Sequence, residues 1–167
     1  MDIFFGANQR MKRRTINIGL PVTAALLLTS CGPTPQLRVN DALLTLSPVD
    51  SNPSSLHFKV RGGPKDVYLI SVSSPSVIRS EMHDVGVDAT TKAVTMQPMQ
   101  RVLVSADGKV EFKKGDKHVM IWGVNLVARR LGVMETEFVF NNGNRILVKV
   151  PVREMDGSEP DEKKALD

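Results

Sequence analysis

A chain of 167 residues is long enough for one domain with a sizeable core, and it carries a formal net charge of +4. The excess lies near the N-terminus, where Arg10, Lys12, Arg13 and Arg14 are offset only by Asp2; without these five, 22 basic and 18 acidic residues become 18 and 17. So balanced a remainder excludes an electrostatic case for nucleic-acid binding, and a single cysteine, Cys31, excludes an internal disulfide.

Met11-Lys12-Arg13-Arg14 is followed by a mostly apolar run from Ile16 to Leu28 and then by Thr29-Ser30-Cys31, the layout of a secretory signal. The apolar run is about 13 residues, interrupted by Gly19 and Pro21, too short for the roughly 20 residues of a membrane-spanning helix. The ending Leu28-Thr29-Ser30-Cys31 resembles a bacterial lipobox, in which a small residue precedes a cysteine that is lipidated and becomes the new N-terminus. The alternative is a plain secretory signal with a stray cysteine, and translation starting at Met11 fits either. Residues 1–30 are therefore expected to be a signal peptide ending in a lipobox, and 31–38 a lipidated cysteine and tether containing Pro33 and Pro35. At roughly 3.3 Å per residue, such a tether starts the domain within about 23 Å of its anchor. Gly32 is not the aspartate that commonly retains lipoproteins in the inner membrane, so a periplasmic, lipid-anchored protein of the outer membrane is expected.

From Leu37 onward, short runs rich in Val, Ile, Leu and Phe alternate with turn-formers, and no helix-period stripe stands out. Strands are predicted near Leu43–Leu46, Leu56–Arg61, Val67–Val72, Val77–His83, Ala93–Met96, Arg101–Val104, Lys109–Phe112, His118–Trp122, Thr136–Phe140 and Arg145–Val152. Glycine-bearing turns separate them at Gly62-Gly63-Pro64-Lys65, Ala106-Asp107-Gly108-Lys109, Lys114-Gly115-Asp116 and Asn141-Asn142-Gly143-Asn144. Many short strands joined by such turns point to an all-β sandwich or small barrel, with the domain spanning 39–153. Residues 154–167, mostly charged, are expected to be a mobile tail.

His118 and Met120 stand two apart on a predicted strand and so share a face, able to offer an imidazole and a thioether to one ion, or simply to pack. Further donors precede them: Glu81-Met82-His83 and Thr95-Met96-Gln97-Pro98-Met99, with 21 residues between Met96 and His118. Thioether sulfur is soft and suits Cu(I), and imidazole suits copper as well as zinc and nickel, so two His and two Met favour Cu(I). A blue-copper centre needs a cysteine thiolate, and Cys31 is committed to the anchor, so binding and transfer fit better than redox cycling. Because a ligating histidine must first lose its proton, affinity should fall in mild acid.

A histidine, a methionine, 21 intervening residues and H-x-M together resemble the ligand pattern of the periplasmic copper chaperones called PCu(A)C, as does the order Val72-Ser73-Ser74-Pro75, Glu81-Met82-His83, Met96-Gln97-Pro98 and Gly115-Asp116-Lys117-His118-Val119-Met120. The resemblance covers about Val39 to Val152. It departs in two places: 12 residues separate His83 from Met96, about two more than the family pattern, and no tryptophan follows Asp41-Ala42. The resemblance implies a cupredoxin-like Greek-key β-sandwich, Cu(I) held by His83, Met96, His118 and Met120, and delivery of copper to an oxidase subunit or assembly factor during cytochrome c oxidase assembly. Met99 is a reserve ligand. Met82 should point away from the His83 face, Trp122 is read as core, and His57 as surface. A monomer is expected, and no enzyme: the chain has no G-x-S-x-G, no H-E-x-x-H and no glycine-rich phosphate loop. The competing readings are a structural or adhesive β-sandwich lipoprotein without metal, and a copper-buffering protein.

Overall fold

The computed structural model describes residues 35–87 and 90–155. The signal peptide and lipobox at 1–30, Cys31 with the first part of the tether, and the tail from 156 lie outside the described residues. Among the described residues, ten strands follow in order: β1 (Arg38–Thr45), β2 (Ser54–Arg61), β3 (Val67–Ser73), β4 (Arg79–Val87), β5 (Val94–Met99), β6 (Val102–Val104), β7 (Lys109–Phe112), β8 (His118–Trp122), β9 (Val133–Phe140) and β10 (Arg145–Arg153), with one short helix, α1 (Leu126–Leu131), between β8 and β9.

The strands form two layers. In the first, the order is β5-β4-β8-β2-β1, with β7 also paired to β2; in the second it is β10-β9-β3-β6, and a short parallel pairing of β1 with β10 at Leu44↔Val152 joins them. Because β2, β3 and β4 alternate between layers, as do β5, β6 and β7, consecutive strands pair only in β1–β2, β4–β5 and β9–β10 among the described residues, and the other pairings join strands distant in sequence. The result is the all-β, cupredoxin-like Greek-key sandwich that the strand pattern and turns predict.

Alternation along the strands places the core between the layers. On β2, Leu56, Phe58 and Val60 are buried while Ser55, His57 and Lys59 look outward. Phe58 stacks on Phe112 of β7 at 4.2 Å between ring centroids and meets Phe138 of the opposite layer edge-on at 4.8 Å. Burying each such ring stabilises by roughly 1.5–3 kcal/mol, and among the described residues the buried apolar ones run from Val39 to Val152, so this stretch carries its own core.

All four predicted turns fall between strands, and all ten predicted strands form. The element the sequence pattern missed is α1. Its six residues bury only Ala128 and expose Leu126, Val127 and Leu131, so it has no apolar stripe to detect. Its ends define it instead: the Asn125 side chain accepts a hydrogen bond from the Ala128 backbone N–H at 2.8 Å, and Gly132, at φ 62°, donates its N–H to the Arg129 carbonyl. Among the described residues, no helix is long and apolar enough to cross a membrane.

Candidate metal centre

Strand register decides which side chains meet. In the antiparallel pair β4–β8, His83 stands opposite His118, Glu81 opposite Met120 and Arg79 opposite Trp122. In the hairpin β4–β5, Val85 stands opposite Met96 and His83 opposite Pro98. Residues directly opposite share a face, as do residues two apart on one strand, so His83, Met96, His118 and Met120 all project from the outer face of the first sheet. The inner face of the same strands carries Met82, Val119 and Ile121, all buried. Burial of Met82 in the core is what turns His83 outward, as the alternation predicts. The long connection between His83 and Met96 does not disturb this, because β4 and β5 pair without a break from Met82↔Met99 to Val87↔Val94.

Met99 is separated from the other donors. It pairs with Met82 and packs against the hydrophobic core, on the opposite side of β5 from Met96, which is 56% exposed. Trp122 departs from its predicted core position. It lies half-buried on the outer face with the Arg79 guanidinium 4.1 Å from its ring centroid, a cation–π contact that anchors the β4 end of this surface.

The two histidine rings lie with centroids 6.3 Å apart and planes inclined by 25°. His118 is buried although it faces outward, at 7% exposure, and its Nδ1 is 2.9 Å from the Asp116 carbonyl oxygen. A carbonyl only accepts, so Nδ1 donates and the lone pair of His118 is on Nε2. The turn that supplies this carbonyl is itself tied down: Asp116 accepts the Lys117 backbone N–H at 2.8 Å, and Lys117 Nζ reaches Asp84 of β4 at 3.4 Å. The backbone N–H of Lys117 and the lysine's charge hold the Asp116 carboxyl below the usual carboxylate range. His83 Nε2 lies 3.3 Å from Glu81 Oε2, whereas its Nδ1 is buried with no hydrogen-bond partner. An orphaned imidazole nitrogen beside a second histidine and two thioethers is what a site for a soft metal ion requires. Among the described residues, no group of three or more His, Cys, Asp or Glu side chains is placed to hold a metal ion, so any complete donor set on this face draws on the methionines.

His57, read as surface in the sequence, is half-buried. Ser55↔Met120 and Leu56↔Val119 are register partners, so His57 comes next along the row, beside His118. Burial first, then the charges of His118 and Lys114, push its pKa below the ordinary histidine value. No spacing signal in the sequence marks this residue, because its neighbour is set by the pairing of β2 with β8.

A family model, LpqE-like, which by its description is a lipoprotein family, matches residues 37–152. The chain belongs to the LpqE-like family. Among curated proteins, none matches the sequence significantly. The fold is similar to three solved structures. The copper-bound PCuAC domain from PmoF2 has a TM-score of 0.56 at 14% identity, covering 71% of this chain and 93% of that domain. The apo PmoF2 PCuAC domain gives 0.55 at 15% identity, covering 75% and 98%. The apo PCuAC domain from PmoF1 gives 0.54 at 13%, covering 72% and 96%. These likenesses establish that the LpqE-like chain and the PCuAC domains share a fold across nearly the whole of those domains.

Proposed function

We propose that this protein is an extracytoplasmic Cu(I)-binding metallochaperone, holding the ion with His83, Met96, His118 and Met120 on the outer face of the first sheet and releasing it by ligand exchange. One observation carries the reading: the β4–β8 and β4–β5 registers bring two imidazoles and two thioethers from three strands to one face. The donor set fits Cu(I), because soft uncharged sulfur compensates for the lack of any thiolate. Open sheet surface around Met96 fits exchange rather than permanent storage, since an incoming protein ligand can reach an exposed thioether first. Likeness to a copper-bound PCuAC domain supports the same assignment. The lipoprotein description of the family supports an extracytoplasmic location; in this reading Cys31 bears the lipid and the anchor lies in the outer membrane. The acceptor in this reading is an oxidase subunit or assembly factor in cytochrome c oxidase assembly. The reading is one of binding and transfer, without catalysis.

The test is a Cu(I) titration, against a competing chelator, of the chain expressed from Gly32 onward. The wild-type domain should bind tightly and the His118→Ala, Met120→Ala double variant should not; equally weak binding by both would end the metal assignment. Copper buffering is separated from delivery by the copper content of the oxidase in a deletion strain at low copper supply. Delivery requires that content to fall.

A further inference from the structure

We infer that Glu81 is a positioning residue that fixes the ring of His83, so that the two histidines meet the ion through different nitrogens: His83 through Nδ1 and His118 through Nε2. The inference deepens the copper reading and rests on it for the role of the ion, but its first prediction concerns the metal-free protein.

A carboxylate oxygen accepts hydrogen bonds and donates none, so at 3.3 Å from Glu81 Oε2 the Nε2 of a neutral His83 must carry the proton. The lone pair then resides on Nδ1, and this is the nitrogen that is buried and without a partner. For His118 the logic runs the other way: its Nδ1 donates to the Asp116 carbonyl at 2.9 Å, leaving Nε2 bare. Neutral imidazole ligands commonly donate their second N–H to a carboxylate or a carbonyl, which fixes tautomer and ring orientation, and loss of that partner typically weakens metal binding about 10- to 100-fold. His83 and His118 each have such a partner, one of each kind.

Glu81 is well placed to hold its end. It is two residues before His83 on β4, opposite Met120 on β8, and its other carboxylate oxygen lies 3.5 Å from Arg79 Nε. Arg79 in turn lies over Trp122. The chain Trp122–Arg79–Glu81–His83 thus runs along the outer face and restrains the carboxylate from the side away from the donors. Glu81 itself is a hard oxygen donor, poorly matched to Cu(I), so its part is to orient rather than to ligate.

The experiment uses the chain from Gly32 onward, labelled with 15N-histidine, and long-range proton–nitrogen correlation spectra at pH 8, without metal and then with Cu(I) under exclusion of oxygen. Metal-free wild type should show His83 as the Nε2–H tautomer and His118 as the Nδ1–H tautomer. On adding Cu(I), the His83 Nδ1 and His118 Nε2 resonances should shift. Glu81→Ala should erode the His83 preference, leave His118 unchanged and weaken Cu(I) binding about tenfold. Glu81→Gln, whose amide oxygen still accepts, should recover most of that loss. The inference is overturned if His83 is the Nδ1–H tautomer in metal-free wild type, if Cu(I) shifts its Nε2, or if Glu81→Ala alters neither tautomer nor affinity while wild type binds copper. Absence of Cu(I) binding by the wild type would instead bring down the copper reading, and the metal-free spectra would still decide whether Glu81 sets the tautomer.

Discussion

Two methionines three residues apart on β5 offer a sharp separation of metal binding from packing. Met96 stands on the outer face opposite Val85 and is 56% exposed; Met99 stands opposite Met82 and packs against the core. Truncating an exposed side chain typically changes stability by no more than about 0.5 kcal/mol. Truncating a buried methionine costs about 2–5 kcal/mol, and a half-buried one roughly half of that, so Met99→Ala should cost about 1–2.5 kcal/mol and lower the melting temperature by roughly 4–10 °C. Copper affinity should respond in the opposite order. Taking as a scale the structural zinc sites of zinc fingers, which release about 10–16 kcal/mol over four ligands, each donor contributes about 2.5–4 kcal/mol. With part of the vacancy refilled by the remaining donors or water, loss of Met96 should cost about 2–3 kcal/mol, or roughly 30- to 150-fold in Cu(I) dissociation constant. Chelator competition and thermal melts of the metal-free proteins measure the two quantities separately. The reasoning is refuted if Met99→Ala weakens copper binding while Met96→Ala leaves it intact, since the site would then be built on the other face of β5.

Two further outcomes follow from local geometry. A Cβ at Gly62 would collide with the backbone carbonyl oxygen of Ser105, so Gly62→Ala should destabilise by about 1–3 kcal/mol, read as a lower urea midpoint at unchanged slope; an unchanged midpoint would show that the turn gives way freely. His57 has a pKa held below its value of about 6.5 in the unfolded chain, first by burial and then by His118 and Lys114. Between the folded and unfolded values the unfolded chain binds more protons, so this contribution to stability is intact above about pH 6.5 and is lost as the pH falls towards the folded value. The metal-free wild type should therefore lose stability more steeply than His57→Asn between pH 7 and 5, and parallel urea-midpoint curves would contradict this.

Much of the fold was legible because half-buried strands announce themselves by alternation. Ser54–Arg61 reads buried, half-buried, buried along its length, as a strand between core and solvent must. Glycine and asparagine turns punctuated the rest. The helix Leu126–Leu131 was not legible, because its stability comes from Asn125 and Gly132 at its ends rather than from a buried stripe. Trp122 was misplaced because a large aromatic residue is usually core, while here Arg79 covers one face of the ring and substitutes for burial.

The candidate site shows where sequence reasoning stops. Parity along one strand is local, so His118 with Met120, and His83 against Met82, could be assigned from spacing alone. The relation between strands is not local. Slipping β5 by one residue against β4 would turn Met96 towards the core and Met99 outward, and both positions hold the same residue type, so sequence alone left both as ligand candidates. What fixes the register physically is the inner face: Met82 is buried at 6% exposure with Met99 directly opposite, and a hairpin slipped by one residue would put Pro98 or polar Gln100 opposite Met82 instead. The same kind of long-range pairing brings His57 beside His118 from a strand that precedes it by some sixty residues. The outer-face His and Met side chains are thus positioned by apolar contacts they do not themselves make, so the packing of Met82 and Met99 and the outward placement of Met96 and His83 are two consequences of one register.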